Sequence, residues 1–423
     1  MPSVTPNYKR TKFACYAAYF TMSSIFSLPP LLFVIFLESY DVSYTQLGSL
    51  VLTNFCTQLA VDLIFTLFSK HFNVKAVVRI MPLITSAGLI IYALVPLFFP
   101  KIAYVGLLIG TVIFSVSAGL SEVLLSPVIA AIPSDNPQGD MSLLHSLYAF
   151  GVFTVVVIST LFLKLTGGRY WYWLTLFWAA LPAVASVLFM LSPMPDMDRT
   201  SGSGEGVKGT RRRTLGMVLC VACIFFGSCA ENAMSNWISS FMENALKVDK
   251  ALGDILGVAM FAILLGLIRV GYGKFGKRIM PVLLIGMAGS AVCYLVAGLV
   301  TNTVVVFVAC VFTGLFTGML WPGSLIMMEE KLPGVGVAAY ALMAAGGDLG
   351  ASVAPQLMGH IVDTVKASPW AEELGKSLSL SAEQVGMKAA MLVAAVFPIL
   401  GVAAVLAILL YFKKQKTPSD SAA

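Results

Sequence analysis

Twelve apolar stretches, each long enough for a helix to cross a bilayer, follow one another along this chain, and that succession leaves few folds open. Spanning the hydrocarbon takes about 20 consecutive apolar residues. Such stretches fall near 12–37, 46–69, 77–99, 102–132, 142–165 and 171–192, then near 214–242, 251–273, 279–300, 304–328, 335–363 and 386–412. With 58% hydrophobic and only 11% charged residues, a water-soluble globule would lack the polar surface to cover its core, so the bilayer is the expected solvent. Lipid offers no partner to backbone N–H and C=O groups, so these stretches are expected as helices.

The chain is also written twice. Phe36-Leu37-Glu38 and Leu47-Gly48 recur as Phe241-Met242-Glu243 and Leu252-Gly253 at an offset of 205, close to half of 423. At an offset of 195, His145 and Gly151 line up with Tyr340 and Gly346. The expected fold class is therefore an all-α membrane protein of twelve transmembrane helices in two six-helix bundles, residues 1–192 and 214–412. Residues 193–213, rich in Pro, Gly, Ser and charge, cannot bury enough surface to fold and read as a linker; residues 413–423 read as a tail. Two related bundles with a solute between them are what alternating access requires.

Lys and Arg set the orientation. With the amino terminus inside, eighteen of the 27, Lys9, Arg10, Lys12, Arg211, Arg212 and Arg213 among them, fall on the cytoplasmic side, and eight fall outside. Linker and tail are then cytoplasmic, as are both termini, and the expected place is a multi-pass position in the cell inner (plasma) membrane. This bias accounts for the net charge of +6 beside anionic lipid, with no nucleic-acid partner. The first span ends without a small-residue cleavage site and is expected to stay in the chain. All seven cysteines fall within spans, which argues against a disulfide framework, and the Cys220/Cys223 spacing places two small side chains on one helix face. A polar insert near 364–385 is expected as an outer loop with a short helix. A monomer is expected.

Polar residues inside spans are expensive in lipid and mark interiors and pathways. Asn54, Gln58 and Asp62 step by four along the second span; Asn232 and Asn236 do so in the seventh. Each pair or triplet shares a helix face. Together with His145, Tyr148, Trp237 and Trp321 they offer amide groups and flat aromatic faces, which suit the hydroxyls and C–H surface of a sugar. The alternative for each is hydrogen bonding between helices. Glu122, Glu231 and Asp348 are the candidate proton carriers: a carboxylate desolvated at mid-membrane without a fixed cation can take up and release a proton. Asp348 is the weaker candidate, its alternative being a partner for Arg269 or a helix-end acid. The expected solute-binding set is Asn54, Gln58, Glu122, His145, Tyr148, Asn232, Asn236, Trp237 and Trp321.

Three of these segments carry a resemblance. Gly119-Leu120-Ser121-Glu122-Val123-Leu124-Leu125-Ser126-Pro127, Leu144-His145-Ser146-Leu147-Tyr148-Ala149-Phe150-Gly151, and Gly227 through Ala230-Glu231 to Trp237 are similar to segments of the sugar:proton symporters of the fucose and galactose/glucose type within the major facilitator superfamily. The resemblance implies the major facilitator fold and import of a sugar with a proton. Departures go with it. Ser126 stands where that family has Asn and His145 where it has Gln. The first span has no acid where fucose-type members carry a coupling Asp, so coupling would rest on Glu122, Glu231 or Asp348. The superfamily's basic loop survives only as remnants around Ser69-Lys70 and Gly273-Lys274.

The expected function is secondary active import of a sugar or sugar-like polar solute by proton symport. The alternatives are export of drugs or amphipathic metabolites by proton antiport, and sodium-coupled sugar symport. An enzyme is not expected, because the sequence holds no nucleotide-binding loop, no metal-ligand cluster and no nucleophile with a base beside it. No cofactor is expected.

Overall fold

The computed structural model describes residues 7–40, 42, 44–196, 211–248 and 253–413. Most of the expected linker and tail lie outside the described residues, and so does Leu252 of the first repeat window. The side chains of Leu37, Glu38, Leu47, Gly48 and Glu243 lie outside them as well.

The first half forms α1 (Lys9–Tyr40), α2 (Tyr44–Phe68), α3 (Val74–Phe98), α4 (Ala103–Ala131), α5 (Pro137–Thr166) and α6 (Trp171–Met190). The second half begins with α7 (Arg211–Ser240) and α8 (Met260–Phe275). It continues through α9 (Ile279–Leu299), α10 (Thr303–Thr317), α11 (Leu320–Lys331) and α12 (Val337–Lys366) to α13 (Pro369–Leu378), α14 (Ala382–Ala394) and α15 (Val396–Lys413). One π-helical turn, Phe241–Ala245, extends α7, and another, Gly253–Ala259, leads into α8.

Among the described residues, ten helical segments are long and apolar enough to cross a membrane. α1 and α2, of 32 and 25 residues, precede them. Two of the expected single spans, 304–328 and 386–412, are each a pair of helices, and prolines explain the breaks. Pro322 has no N–H to give the carbonyl of Gly318, and Pro398 none to give that of Ala394, so the i−4 ladder stops at both points. The apolar run nevertheless continues across each break, over Thr303–Lys331 and Ala382–Phe412. In the polar insert, α13 is the expected short helix.

Side chains finish several helix ends. Asn73 accepts from the N–H of Ala76 at the start of α3, and Asn136 from that of Gly139 at the start of α5, where Pro137 occupies the first turn. Asn302 caps α10, and Ser381 with Gln384 forms a reciprocal capping box on α14. Each satisfies amide groups that the first helical turn leaves unpaired. α5 ends at Gly167 with φ of 59°, a left-handed turn that glycine makes without strain.

The exterior is apolar. Phe98, Leu165, Trp173, Phe275, Ile285, Leu299 and Leu410 are all more than half exposed, which only a lipid environment makes favourable. Two compact units result: Met1–Gly204 with Gly334–Ala345, and Glu205–Pro333 with Gly346–Ala423. In the first, α1 packs on α5 and α6, α3 on α4 and α6, and α2 on α4. In the second, α9 packs on α10, α14 and α15, and α7 on α11 and α15.

The duplication is legible in the packing of two glycines. A Cβ on Gly151 would lie 2.6 Å from the carbonyl oxygen of Phe20 and 3.0 Å from Cβ of Ser23. A Cβ on Gly350 would meet the carbonyl oxygen of Phe225 and lie 3.2 Å from Cβ of Ser228. Phe225 and Ser228 are Phe20 and Ser23 displaced by 205. The packing counterpart of Gly151 is therefore Gly350, one helical turn beyond the Gly346 expected from the 195 offset. A run rich in Ala and Gly lets a four-residue slip go unnoticed in sequence, because every turn offers a small residue on the same face.

Candidate functional site

Two polar clusters of the first unit meet one stripe of α4. Ser115, Gly119, Glu122 and Ser126 step by four, three and four, which keeps them on one face. At one end, Ser115 Oγ donates to Asn54 Oδ1 at 2.6 Å, and the same oxygen accepts Gln58 Nε2 at 3.1 Å. Gly119 permits this closeness, since a Cβ there would lie 3.3 Å from Cα of Gln58. Asn54, Gln58 and Asp62 are all buried, so the four-residue stepping read from the sequence does define an interior stripe of α2.

At the other end of the stripe, Ser126 Oγ is 3.2 Å from Nε2 of His145, and the Tyr19 hydroxyl is 2.8 Å from its Nδ1. His145 is 2% exposed. Both ring nitrogens therefore face hydroxyls, and a hydroxyl can donate or accept. The imidazole keeps both hydrogen bonds as either neutral tautomer or as the cation, which is the arrangement a proton relay needs. Tyr19 packs edge-on against His145 with centroids 4.9 Å apart, and Tyr148 packs against Tyr19 and Phe26 at 6.4 and 5.8 Å. Glu122, half-buried, sits one turn before Ser126 on the same face of α4.

The second unit overturns one expectation. The sequence leads one to expect Glu231 without a fixed cation, whereas Arg269 Nη2 lies 3.2 Å from both of its oxygens. Sequence separation hid the pair: α7 and α8 must pack before the two meet. Arg269 is also anchored from behind, its Nε donating 2.6 Å to the carbonyl of Gly318. That carbonyl is the one left without a helical donor by Pro322. The side chain of Arg269 is 3% exposed against 14% for Glu231, so the carboxylate is the accessible partner.

Along α7 the amides turn back on their own helix. Asn232 Nδ2 lies 3.1 Å from the carbonyl and 3.2 Å from the hydroxyl of Ser228, and Asn236 Nδ2 lies 2.9 Å from the carbonyl of Asn232. Asn236 is exposed and Asn232 half-buried. Trp237 donates its indole N–H to the carbonyl of Pro355 at 3.0 Å, which commits its polar edge to α12 and leaves the ring face as its contribution. Trp321 lies flush on Gly347, and Asp348, next to it in sequence, is buried in α12.

The first unit thus brings Asn54 and Gln58 together, joins His145 and Tyr148 through Tyr19, and puts Glu122 one turn along α4 from Ser126. The second places Glu231, Asn232, Asn236 and Trp237 on α7, with Trp321 and Asp348 on α11 and α12. Sequence reading missed Tyr19, because a tyrosine in an apolar run carries no spacing signal. Lys388, 8% exposed, is a buried cation. Its ammonium donates to the carbonyls of Ala297 and Val300 at 3.2 and 2.6 Å, closing the carboxy-terminal end of α9 as a cation does favourably. All seven cysteines are free, with only Cys56 exposed. Among the described residues no cluster of His, Cys, Asp and Glu could hold a metal ion.

Solved structures share this architecture. The proton:xylose symporter XylE, bound to 6-bromo-6-deoxy-D-glucose, is similar with a TM-score of 0.72 at 13% identity, over 92% of this chain and 94% of that one. A variant of the E. coli fucose:proton symporter FucP gives 0.65 at 13%, over 93% and 99%. The human organic anion transporter MFSD10 gives 0.71 at 12%, over 95% and 100%. No curated protein matches the chain by sequence. The model of the Major Facilitator Superfamily matches residues 13–355. A multi-pass membrane transporter rather than an enzyme, the chain belongs to the Major Facilitator Superfamily.

Proposed function

We propose that this transporter carries a sugar or sugar-like polar solute inward together with a proton, through twelve membrane helices with both termini cytoplasmic. The two bundles, residues 1–192 and 214–412, would be joined by the 193–213 linker. The observation that carries the reading is His145 held between the hydroxyls of Tyr19 and Ser126, with Ser126 itself one helical turn from Glu122 on α4. That set places a ring able to hold its hydrogen bonds in every protonation state on a hydroxyl of the helix that carries the carboxylate. Glu122 is the proton carrier in this reading and Asp348 the second candidate, while Glu231, already paired with Arg269, presents an oriented acceptor to the solute. Asn54, Gln58, Tyr148, Asn232, Asn236, Trp237 and Trp321 supply further hydrogen bonds and stacking faces. The XylE and FucP structures, both of sugar:proton symporters, support the solute class and the coupling ion.

The test is counterflow of labelled monosaccharides in proteoliposomes, followed by uptake under an imposed proton gradient. The reading expects exchange of at least one sugar and uphill accumulation abolished by a protonophore. It expects Glu122→Gln to lose accumulation while retaining exchange, since exchange needs binding and rocking but no net proton release. Accumulation that ignores the protonophore and follows a sodium gradient would remove the proton from the mechanism.

A further inference from the structure

α13 is too short to cross a membrane: ten residues make a helix about 15 Å long. It is nevertheless tied to the membrane at both ends. Two residues separate it from α12 and three from α14, both within membrane-crossing segments, and an ion pair between Lys366 and Glu383 at 3.6 Å bridges those neighbours. A two-residue connection makes three Cα–Cα steps and reaches at most about 11 Å, so α13 starts close to where α12 leaves the hydrocarbon.

Its faces are sharply divided. Ala371 and Gly375 are buried against the protein, whereas Trp370, Leu374 and Leu378, spaced by four, are 51%, 42% and 47% exposed. Glu372 and Lys376 occupy the opposite arc, with Glu373 and Ser377 at the edge of the stripe beside Trp370. The direction of the stripe is locked by the helix end, where Ser379 takes a left-handed φ of 56° and the N–H of Leu380 closes 2.8 Å onto the carbonyl of Gly375. This closure holds a helix end in one geometry.

We propose that α13 lies in the membrane interface, with Trp370, Leu374 and Leu378 seated at the boundary between lipid headgroups and acyl chains. A short helix with Trp and Leu on one face and charge on the other binds that boundary, and Trp is enriched there because its ring is apolar while its N–H seeks a polar partner. The helix thereby tethers the adjoining ends of α12 and α14 to one depth in the bilayer. The tether follows from the membrane-crossing architecture alone and is independent of solute and coupling ion.

The experiment is site-directed spin labelling of the full-length protein, with the exposed Cys56 replaced by Ser, in phosphatidylcholine liposomes. Labels at Trp370→Cys and Leu374→Cys are compared with one at Lys376→Cys for collision with oxygen, which partitions into lipid, and with a water-soluble nickel complex. The expected result is an oxygen-to-nickel ratio several-fold higher at positions 370 and 374 than at 376. Leu378→Cys gives the same readout if the Trp370 variant fails to fold. Equal ratios at 374 and 376 would overturn the proposal. So would strong dipolar broadening between labels at 374 on different molecules, which would place a second copy, not lipid, on the stripe.

Discussion

Arg269 donates its Nε–H to the carbonyl of Gly318 at 2.6 Å, and this bond decides what the rest of its guanidinium can reach. Pro322 vacates the carbonyl, Arg269 fills it from α8, and Nη2 then faces Glu231 on α7. A break in one helix, at Thr317–Leu320, thus positions a buried charge pair between two others.

Removing one partner of a buried pair is much worse than removing both, because the remaining charge is left uncompensated. Arg269→Met is expected to destabilise the protein by about 3–5 kcal/mol, with Arg269→Met/Glu231→Gln recovering part of the loss. Thermal unfolding of the purified single and double variants measures the coupling. Additive losses would show that the two residues act separately.

His145→Ala removes a ring bonded on both sides and should weaken solute binding by about 1–3 kcal/mol, roughly 5- to 150-fold. Tyr19→Phe removes one of the two bonds and should produce a smaller loss. Calorimetric titration with the sugar identified by counterflow compares them; equal affinity in His145→Ala and wild type would take His145 out of the site.

Trp237 separates stability from binding. Trp237→Phe keeps an aromatic face but loses the bond to the Pro355 carbonyl, so it should lower stability by about 1 kcal/mol with affinity nearly unchanged. Trp237→Ala should lose both. If Phe and Ala lower affinity alike, the ring face is not what the solute meets.

Asn302 caps α10 through two backbone amides at 3.1 Å. Asn302→Ala should cost about 1 kcal/mol of stability, seen as a lower unfolding midpoint, with transport per folded molecule unaltered.

Gly151 and Gly350 should respond alike. Alanine at either position drives a methyl group into a facing carbonyl, of Phe20 or Phe225, and overpacking of this kind costs about 1–3 kcal/mol. Parallel unfolding of Gly151→Ala and Gly350→Ala tests the correspondence between them; a tolerated Gly350→Ala beside a damaging Gly346→Ala would restore the 195 alignment.

The sequence by itself determined the solvent and the element type. Long apolar runs in a chain with 11% charged residues can satisfy their backbone in lipid only as helices, and their limits were legible because charges, Pro and Asn caps stand at the boundaries. It also determined the α2 stripe: Asn54, Gln58 and Asp62 step by four on one helix, a local fact that folding does not alter. What only the tertiary structure decided are relations between helices. The pairing of Glu231 with Arg269 crosses 38 positions, and the Tyr19–His145 bond crosses 126. No periodicity encodes them, because each depends on the rotation of two helices about their own axes. The breaks at Gly318 and Ala395 belong between these cases. Pro322 and Pro398 announced a missing hydrogen bond in the sequence, but whether each helix kinks, stops or finds another donor depends on what packs beside it, and at Gly318 that donor is Arg269.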